Sequence, residues 1–352
     1  EVKIEVTTDG FATAPASRTL PSDTDSRSAT YGFTGAQAFY NLFIEADPSD
    51  DTKVYVGGLN LHKSANSGTS WTQISNWSGG NFVHSDQHAM VFKPGNTDIA
   101  LFGNDGGVYY APSLSGSTST SANITSRNSG FNVTQFVGMG VMPLGVSGAN
   151  ADFFVAGAQD NGSQYFSGST SVATSTTGAA AGINGSYEVQ GGDGGKAVFA
   201  QDSDKYYITT YVYNDNIRLR NVGSTTTRSL LPTIVPNGDR NMGLFYPAFA
   251  LDSNLDLLYT DFTGVGTGTT TLYQIRRYSN IKTGTVGRTV LSDATLFRSY
   301  PTALKVSPYT TASSTLFAGL MNGKLLKITN ANATPTFTDI TGPSFLGSIS
   351  DI

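Results

Sequence analysis

His84, Asp86 and His88 stand at alternate positions in the stretch HSDQH. In extended backbone their side chains would leave one face of the chain. Two imidazoles and a carboxylate make a donor set for a transition metal. Asp105, Asp160 and Asp193 lie in the glycine-rich turns GNDGG, QDNG and GGDGG. Together with backbone carbonyls, these acids would suit Ca²⁺. The same acids, with Glu188, are the candidate catalytic carboxylates for glycoside hydrolysis. That reaction needs two carboxyl groups roughly 5–10 Å apart, one of them with a raised pKa. Glutamate is scarce, at Glu1, Glu5, Glu45 and Glu188, so most of the 26 acids are aspartates. A third chemistry is ligand binding by Gln37, Tyr40, Asn60, Gln135, Tyr187 and Gln190. Flat rings beside amides are what a sugar-binding groove uses. Against all three stands a structural role. Asp and Asn in such turns cap their own backbone, and polar residues on inner strands bond across a wet channel.

These residues are set in a repeat. An apolar strand runs into an Asp/Pro/Asn turn, a second strand ends in a glycine-rich acidic turn, and a third follows. The copies start near residues 41, 88, 140, 196, 247 and 301. Their first turns, at Pro48, Pro94, Pro143, Asp202, Ser253 and Pro308, are 46, 49, 59, 51 and 55 residues apart. That period fits the four-stranded blade of a β-propeller, roughly 40–50 residues. The short runs of Val, Ile, Phe, Tyr and Thr between Gly, Asn, Asp and Ser clusters read as strands and turns throughout. The expected fold is all-β: a seven-bladed propeller of four-stranded antiparallel blades, forming one domain over 1–352. Residues 346–352 look like a first strand, and the first 33 residues like the rest of a blade. A composite blade closed by both ends is therefore expected, since an open edge invites aggregation. The chain also reads as a piece of a longer parent protein with further domains.

Composition excludes several classes. A net charge of −5 and a pI near 5.1 argue against nucleic acid as a partner, because that needs a basic stripe. No apolar run reaches the ~18 residues of a membrane span, so no membrane insertion is expected. The absence of cysteine removes disulfides, thiolate metal sites and cysteine nucleophiles. Charged residues make up 13% of the chain, while Ser, Thr, Asn and Gly are abundant, as in exported bacterial proteins. Ser/Thr-rich stretches at 113–126 and 167–181 read as long surface loops. Asn-x-Ser/Thr sequons at Asn76, Asn123, Asn132, Asn161, Asn184 and Asn332 are what this composition yields by chance.

Residues 64–71, SANSGTSW, have the form S-x-N-x-G-x-x-W. They resemble the Asp-box of sialidase-type propellers, with Asn66 in the Asp place. Such a box is a turn between the third and fourth strands of a blade. Its polar side chain bonds the turn backbone, Gly supplies positive φ, and Trp71 is expected to pack between sheets. TTDGF at 7–11 resembles a worn second copy. Other matching pieces are Asp47-Pro48, VYVGG at 54–58, HSDQHA at 84–89, GNDGG at 103–107, TQF at 134–136, QDNG at 159–162 and GGDG at 191–194. Over about residues 37–220 the chain thus resembles the BNR-repeat propellers related to sortilin and to xyloglucanase-type glycosidases. Closest among these are large secreted bacterial proteins with a C-terminal sorting domain. The last third matches by period alone. Glu188 beside Tyr187 resembles the sialidase nucleophile pair. No arginine lies in the segments around it that could clamp a sialic acid carboxylate, so sialidase is disfavoured.

Strand alternation gives one further expectation. The loop entering a first strand and the turn leaving a second strand lie at the same end of a blade. His84–His88, Gln135 and Tyr187–Asp193 precede first strands; Asn60, Asp105 and Asp160 follow second strands. All should gather at one face. The aromatic residues Phe39, Tyr40, Phe136, Tyr187, Phe245 and Tyr246 also sit at turns or strand entries. The sequence therefore predicts a secreted or cell-surface binding or scaffold module, with a glycan or an extracellular protein as partner at that face. The alternatives are a glycoside hydrolase using Asp or Glu there, and a structural spacer in an extracellular assembly. Ca²⁺ or a transition metal is the possible cofactor.

Overall fold

The computed structural model describes residues 2–24, 30–131, 133–143, 153–166, 186–202, 206–222, 234–265, 271–283 and 285–352. Among them, 25 strands form seven antiparallel sheets in chain order, the successive blades of an all-β propeller. The contacts divide the chain into two compact units, Glu1–Val133 and Thr134–Ile352.

The first unit holds three sheets. A ribbon pairs β1 (Glu5–Val6) with β2 (Ala16–Ser17). A four-stranded meander follows from β3 (Phe43–Asp47), β4 (Asp50–Gly57), β5 (Leu61–Ser64) and β6 (Thr72–Gln73). A second meander comprises β7 (Gln87–Lys93), β8 (Asn96–Asn104), β9 (Gly107–Ala111) and β10 (Thr125–Ser126). The two meanders share one core of Phe43, Tyr55, Leu61, Ile74, Met90 and Phe102, all buried. Each such side chain contributes about 1.5–3 kcal/mol by leaving water.

Residues 18–24 strap the meander of β3 to β6. Arg18 Nε donates to Ser67 O at 2.8 Å, and Thr24 N to Gln73 Oε1 at 3.2 Å. Asp23 is sealed against His62, with both side chains fully buried. The turn at 64–71 has the expected internal bonding. Asn66 Oδ1 accepts the Ser70 N–H at 2.9 Å, Ser64 Oγ accepts that of Gly68 at 2.9 Å, and Gly68 has φ +78°. Trp71 departs from expectation. Its indole N–H donates to Thr19 O at 2.8 Å, so it holds the strap rather than filling an intersheet core. At the ribbon turn, Thr7 Oγ1 accepts the Phe11 N–H at 3.0 Å, repeating the Ser64 bond.

The second unit holds four sheets. The first comprises β11 (Gly138–Val141), β12 (Phe154–Ala158), β13 (Gly162–Phe166) and β14 (Ser186–Gln190). The next has three described strands, β15 (Ala197–Phe199), β16 (Tyr206–Thr209) and β17 (Arg218–Asn221). Then come β18 (Phe249–Asp252), β19 (Leu257–Val265), β20 (Thr271–Ser279) and β21 (Gly287–Leu291). Last are β22 (Pro301–Val306), β23 (Leu316–Leu320), β24 (Leu325–Thr329) and β25 (Thr336–Asp339). Rings key neighbouring sheets together, as where Tyr165 stacks on Tyr207 with centroids 5.3 Å apart. Backbones also approach closely. A Cβ on Gly157 would lie 1.9 Å from Gly195 O, so only glycine fits there.

The two ends, expected to share a blade, are each described within their own unit. In the ladder, β1 pairs with β2 alone, and residues 346–352 form no strand. Instead Ile349 N donates to Leu320 O at 3.2 Å, and Thr302 Oγ1 donates to Ile349 O at 2.7 Å. Gly319 leaves the space that Ile349 occupies, since a Cβ there would lie 2.5 Å from Ile349 Cγ2. Ile349 thus ties the tail to the last described sheet. The 167–181 stretch and the sequons at Asn132 and Asn184 lie outside the described residues.

Candidate functional site

In the first unit, the alternation assumed for His84, Asp86 and His88 is broken. Asp86 has φ +62°, and the strand begins only at Gln87. The three side chains therefore diverge. His84 turns its Nδ1 towards Ser85 O at 3.3 Å and packs over Gly106. Asp86 is buried, and its Oδ1 accepts from Gln37 Nε2 at 2.8 Å and Asn41 Nδ2 at 2.6 Å. His88 sets Nε2 2.5 Å from Asp105 Oδ1 and Nδ1 3.2 Å from Tyr40 O. Tyr40 also donates its hydroxyl to the Asp105 carboxylate at 2.9 Å and meets the His88 ring edge-on at 4.8 Å.

The result is one network joining Gln37, Tyr40, Asn41, Asp86, His88 and Asp105. Oxygens of the two carboxylates come within 4.8 Å of each other. Each carboxylate has acceptor capacity beyond the amide, phenol and imidazole donors it holds, so the pair could also ligate a divalent cation. Asn60, expected to bind ligand, is fully buried. Its Oδ1 accepts the Trp77 N–H at 2.9 Å, and its Nδ2 donates to Asp23 at 3.1 Å. It secures the strap and faces no solvent.

In the second unit, the register puts the loops at 159–161, 191–196, 210–217 and 240–248 at one end of the sheets, where the first strands begin. This is the gathering that alternation predicts. Asp160 has φ +58°, and its N–H points to Asp193 Oδ1 at 3.4 Å. Burial, then the charges of Asp193 and Asp215, push the Tyr211 phenol above its ordinary pKa. Burial and the charge of Asp193 do the same to Tyr246. Tyr246 donates its hydroxyl to Gln159 Oε1 at 2.5 Å. Gln135 is exposed just before β11.

A polar cavity of about 420 Å³ opens beside this cluster, lined by Glu188, Gln190, Gly192, Tyr211, Asn216 and Arg218 among others. Two of these were predicted. Glu188 is exposed and lies over the Gly162 and Gly191 backbones. The Gln190 side chain is already committed. Its Nε2 donates to Asn216 O at 3.0 Å, and its Oε1 accepts from Thr209 Oγ1 at 2.7 Å. It braces the cavity wall, a positioning role rather than the ligand contact expected. Tyr187, beside Glu188 in β14, is placed by its backbone alone.

Sequence reasoning missed the neighbouring loop 211–217. Tyr213, Asn214 and Asn216 all have left-handed backbone, with φ of +56°, +60° and +49°. Asn tolerates this backbone, whereas for Tyr213 it is uncommon and persists because the surroundings enforce it. The loop presents Tyr213, 42% exposed, edge-on to Phe245, 36% exposed, with centroids 5.4 Å apart. Phe245 meets Tyr246 edge-on at 4.8 Å. Three rings thus form an edge-to-face cluster, called the ring platform below, across two loops.

Both loops are pinned from below by Asp261, also missed. Leu244 N–H donates to its Oδ2 at 2.7 Å, and Asn214 Nδ2 donates to its backbone O at 2.6 Å. Asp261 is fully buried, its Oδ1 has no hydrogen-bond partner among the described residues, and burial pushes its pKa up to about 8. The readable signal was YVYNDN at 211–216, where two ring residues run into an Asn-Asp-Asn block. Those polar residues tolerate left-handed backbone.

No protein-family model and no curated protein matches the chain. Solved structures do. One is an ancestral GH74 enzyme, at 14% identity and a TM-score of 0.38, covering 86% of this chain and 38% of that one. Sqt1 of Chaetomium thermophilum is similar at 14% identity and a TM-score of 0.39, covering 89% and 75%. A GH74 enzyme of Niastella koreensis is similar at 13% identity and 0.40, covering 91% and 53%. The chain thus spans well under half the length of the first of these.

Proposed function

We propose that this chain is the glycan-binding propeller of a BNR/Asp-box type protein at the bacterial cell surface or secreted from it. The ring platform of Tyr213, Phe245 and Tyr246 is the seat. The observation that carries the reading is the pairing of solvent-facing rings with polar groups on loops held in strained backbone. Sugar rings stack their apolar faces on aromatic rings, while their hydroxyls bond amides and carboxylates. Gln159, Asp160 and Asp193 supply those groups beside the platform. Weak charge and abundant Ser, Thr and Asn agree with an exported protein.

Glycoside hydrolysis is the alternative, with Glu188 in the cavity wall and Asp160 and Asp193 beside it as its carboxylates. The cavity wall carries one carboxylate, Glu188. Asp261, the carboxyl whose pKa is pushed to about 8, is sealed beneath the loops away from any substrate. A glycan array probed with the wild type and with Phe245→Ala tests the proposal. Retention of a defined set of glycans by the wild type, weakened in the variant, is expected. An array with no hit, or hits untouched by Phe245→Ala, would reject the platform. Glycan release during incubation would instead establish the hydrolase.

A further inference from the structure

We infer that the cavity beside the ring platform is a carboxylate subsite, in which Arg218 reads the acid group of a uronic-acid sugar. The inference rests on the glycan reading above and names the sugar class.

Arg218 begins β17 and lines the cavity. Its one hydrogen bond among the described residues runs from Nη2 to Asn216 Oδ1 at 3.5 Å, the outer limit of such a contact. Its Nε is buried with no partner among the described residues. It makes no ion pair among the described residues, although Glu188 stands in the same wall. Several neighbouring arginines of the unit are engaged. Arg240 pairs with Asp215, Arg276 and Arg288 with Asp239, and Arg220 donates to Val189 O. A guanidinium taken partly out of water without an acceptor is costly, and its fork matches a carboxylate through two parallel N–H bonds.

The rest of the wall selects the ligand's remaining chemistry. Glu188 stands over glycine backbone, where it can accept bonds from sugar hydroxyls. Gln190 fixes the Asn216 carbonyl, and so the residue that touches Arg218. Val189 is the one aliphatic side chain in the wall. A peptide C-terminus would bring an apolar side chain that finds little to pack on here, whereas a hydroxyl-rich ring finds acceptors and donors throughout. Tyr211 lines the cavity, and two residues on Tyr213 joins the platform. One oligosaccharide can therefore set a neutral ring on Tyr213 and Phe245 and its acid on Arg218.

The test compares tetragalacturonate with the same oligosaccharide after its carboxyl groups are reduced to alcohols, by titration calorimetry. The acid form is expected to bind about 10–100-fold more tightly, the range for a hydrogen bond to a charged group. In Arg218→Gln that preference disappears while binding of the reduced form persists. Arg218→Lys recovers it in part. In Glu188→Gln both forms weaken together and the preference stays. Equal affinity of the two forms for the wild type, or a preference that survives Arg218→Gln, overturns the subsite and leaves the glycan platform standing. The wild-type comparison decides the matter even if a variant fails to fold. Binding of a pentapeptide with a free but not an amidated C-terminus, with neither sugar bound, overturns both readings.

Discussion

Replacing Asp261 by asparagine should stabilise the protein, and by an amount that depends on pH. The native carboxyl has a pKa of about 8, against 3.8 for an exposed aspartate, because burial penalises its charge. The sign follows from proton linkage. A group whose folded pKa is raised contributes most below the unfolded pKa, and that contribution is lost as pH rises through the folded value. The window is therefore pH 4 to 8. Each unit is worth about 1.4 kcal/mol, so holding Asp261 protonated at pH 7 costs on the order of 4 kcal/mol as an upper bound. Asparagine keeps an acceptor for the Leu244 N–H and carries no charge. Thermal unfolding of wild type and Asp261→Asn at pH 5, 7 and 9 measures the difference. The variant's advantage in Tm should widen from pH 5 to 8 and then level off. A gap that is constant with pH, or a variant less stable at every pH, would refute the reasoning.

Three further outcomes follow from the same structure. Asp23→Ala strands His62 and Asn60 without their partner in a dry site and should cost about 3–5 kcal/mol in urea unfolding, unlike a typical surface acid. Asn66→Ala removes the acceptor for the Ser70 N–H and should cost about 1 kcal/mol, whereas Asn66→Asp should cost little. Gly157→Ala drives a Cβ into Gly195 O and should lower the unfolding midpoint by the equivalent of at least about 1–3 kcal/mol, with no effect expected from Gly95→Ala beyond its own turn strain.

The period of the repeat made the blades legible, because each turn residue marks a place where the chain must reverse. It also located the loop ends of the second unit, since antiparallel pairing fixes which turns share an end. It failed at HSDQH, where alternation was assumed through a residue that adopts left-handed backbone. Asp86 can do so because its short carboxylate is held by Gln37 and Asn41, residues some 45–49 positions earlier that no local pattern connects to it. Asn60 and Gln190 were chosen for the right type in the right loop. Their side chains proved to be spent on Trp77, Asp23, Thr209 and Asn216, a matter of packing rather than composition. Arg218 and Asp261 carry no motif. One matters for the partner it lacks and the other for the water it lacks, and both are properties of three-dimensional surroundings.

The central claim is that sugars dock on the ring platform of the second unit. A crystal structure of the protein with the tightest oligosaccharide from the array tests it most directly. The account predicts a sugar ring lying against Tyr213 and Phe245, with hydroxyls reaching the Gln159 and Asp193 side. An oligosaccharide seated elsewhere, with Tyr213 and Phe245 still open to solvent, would contradict it.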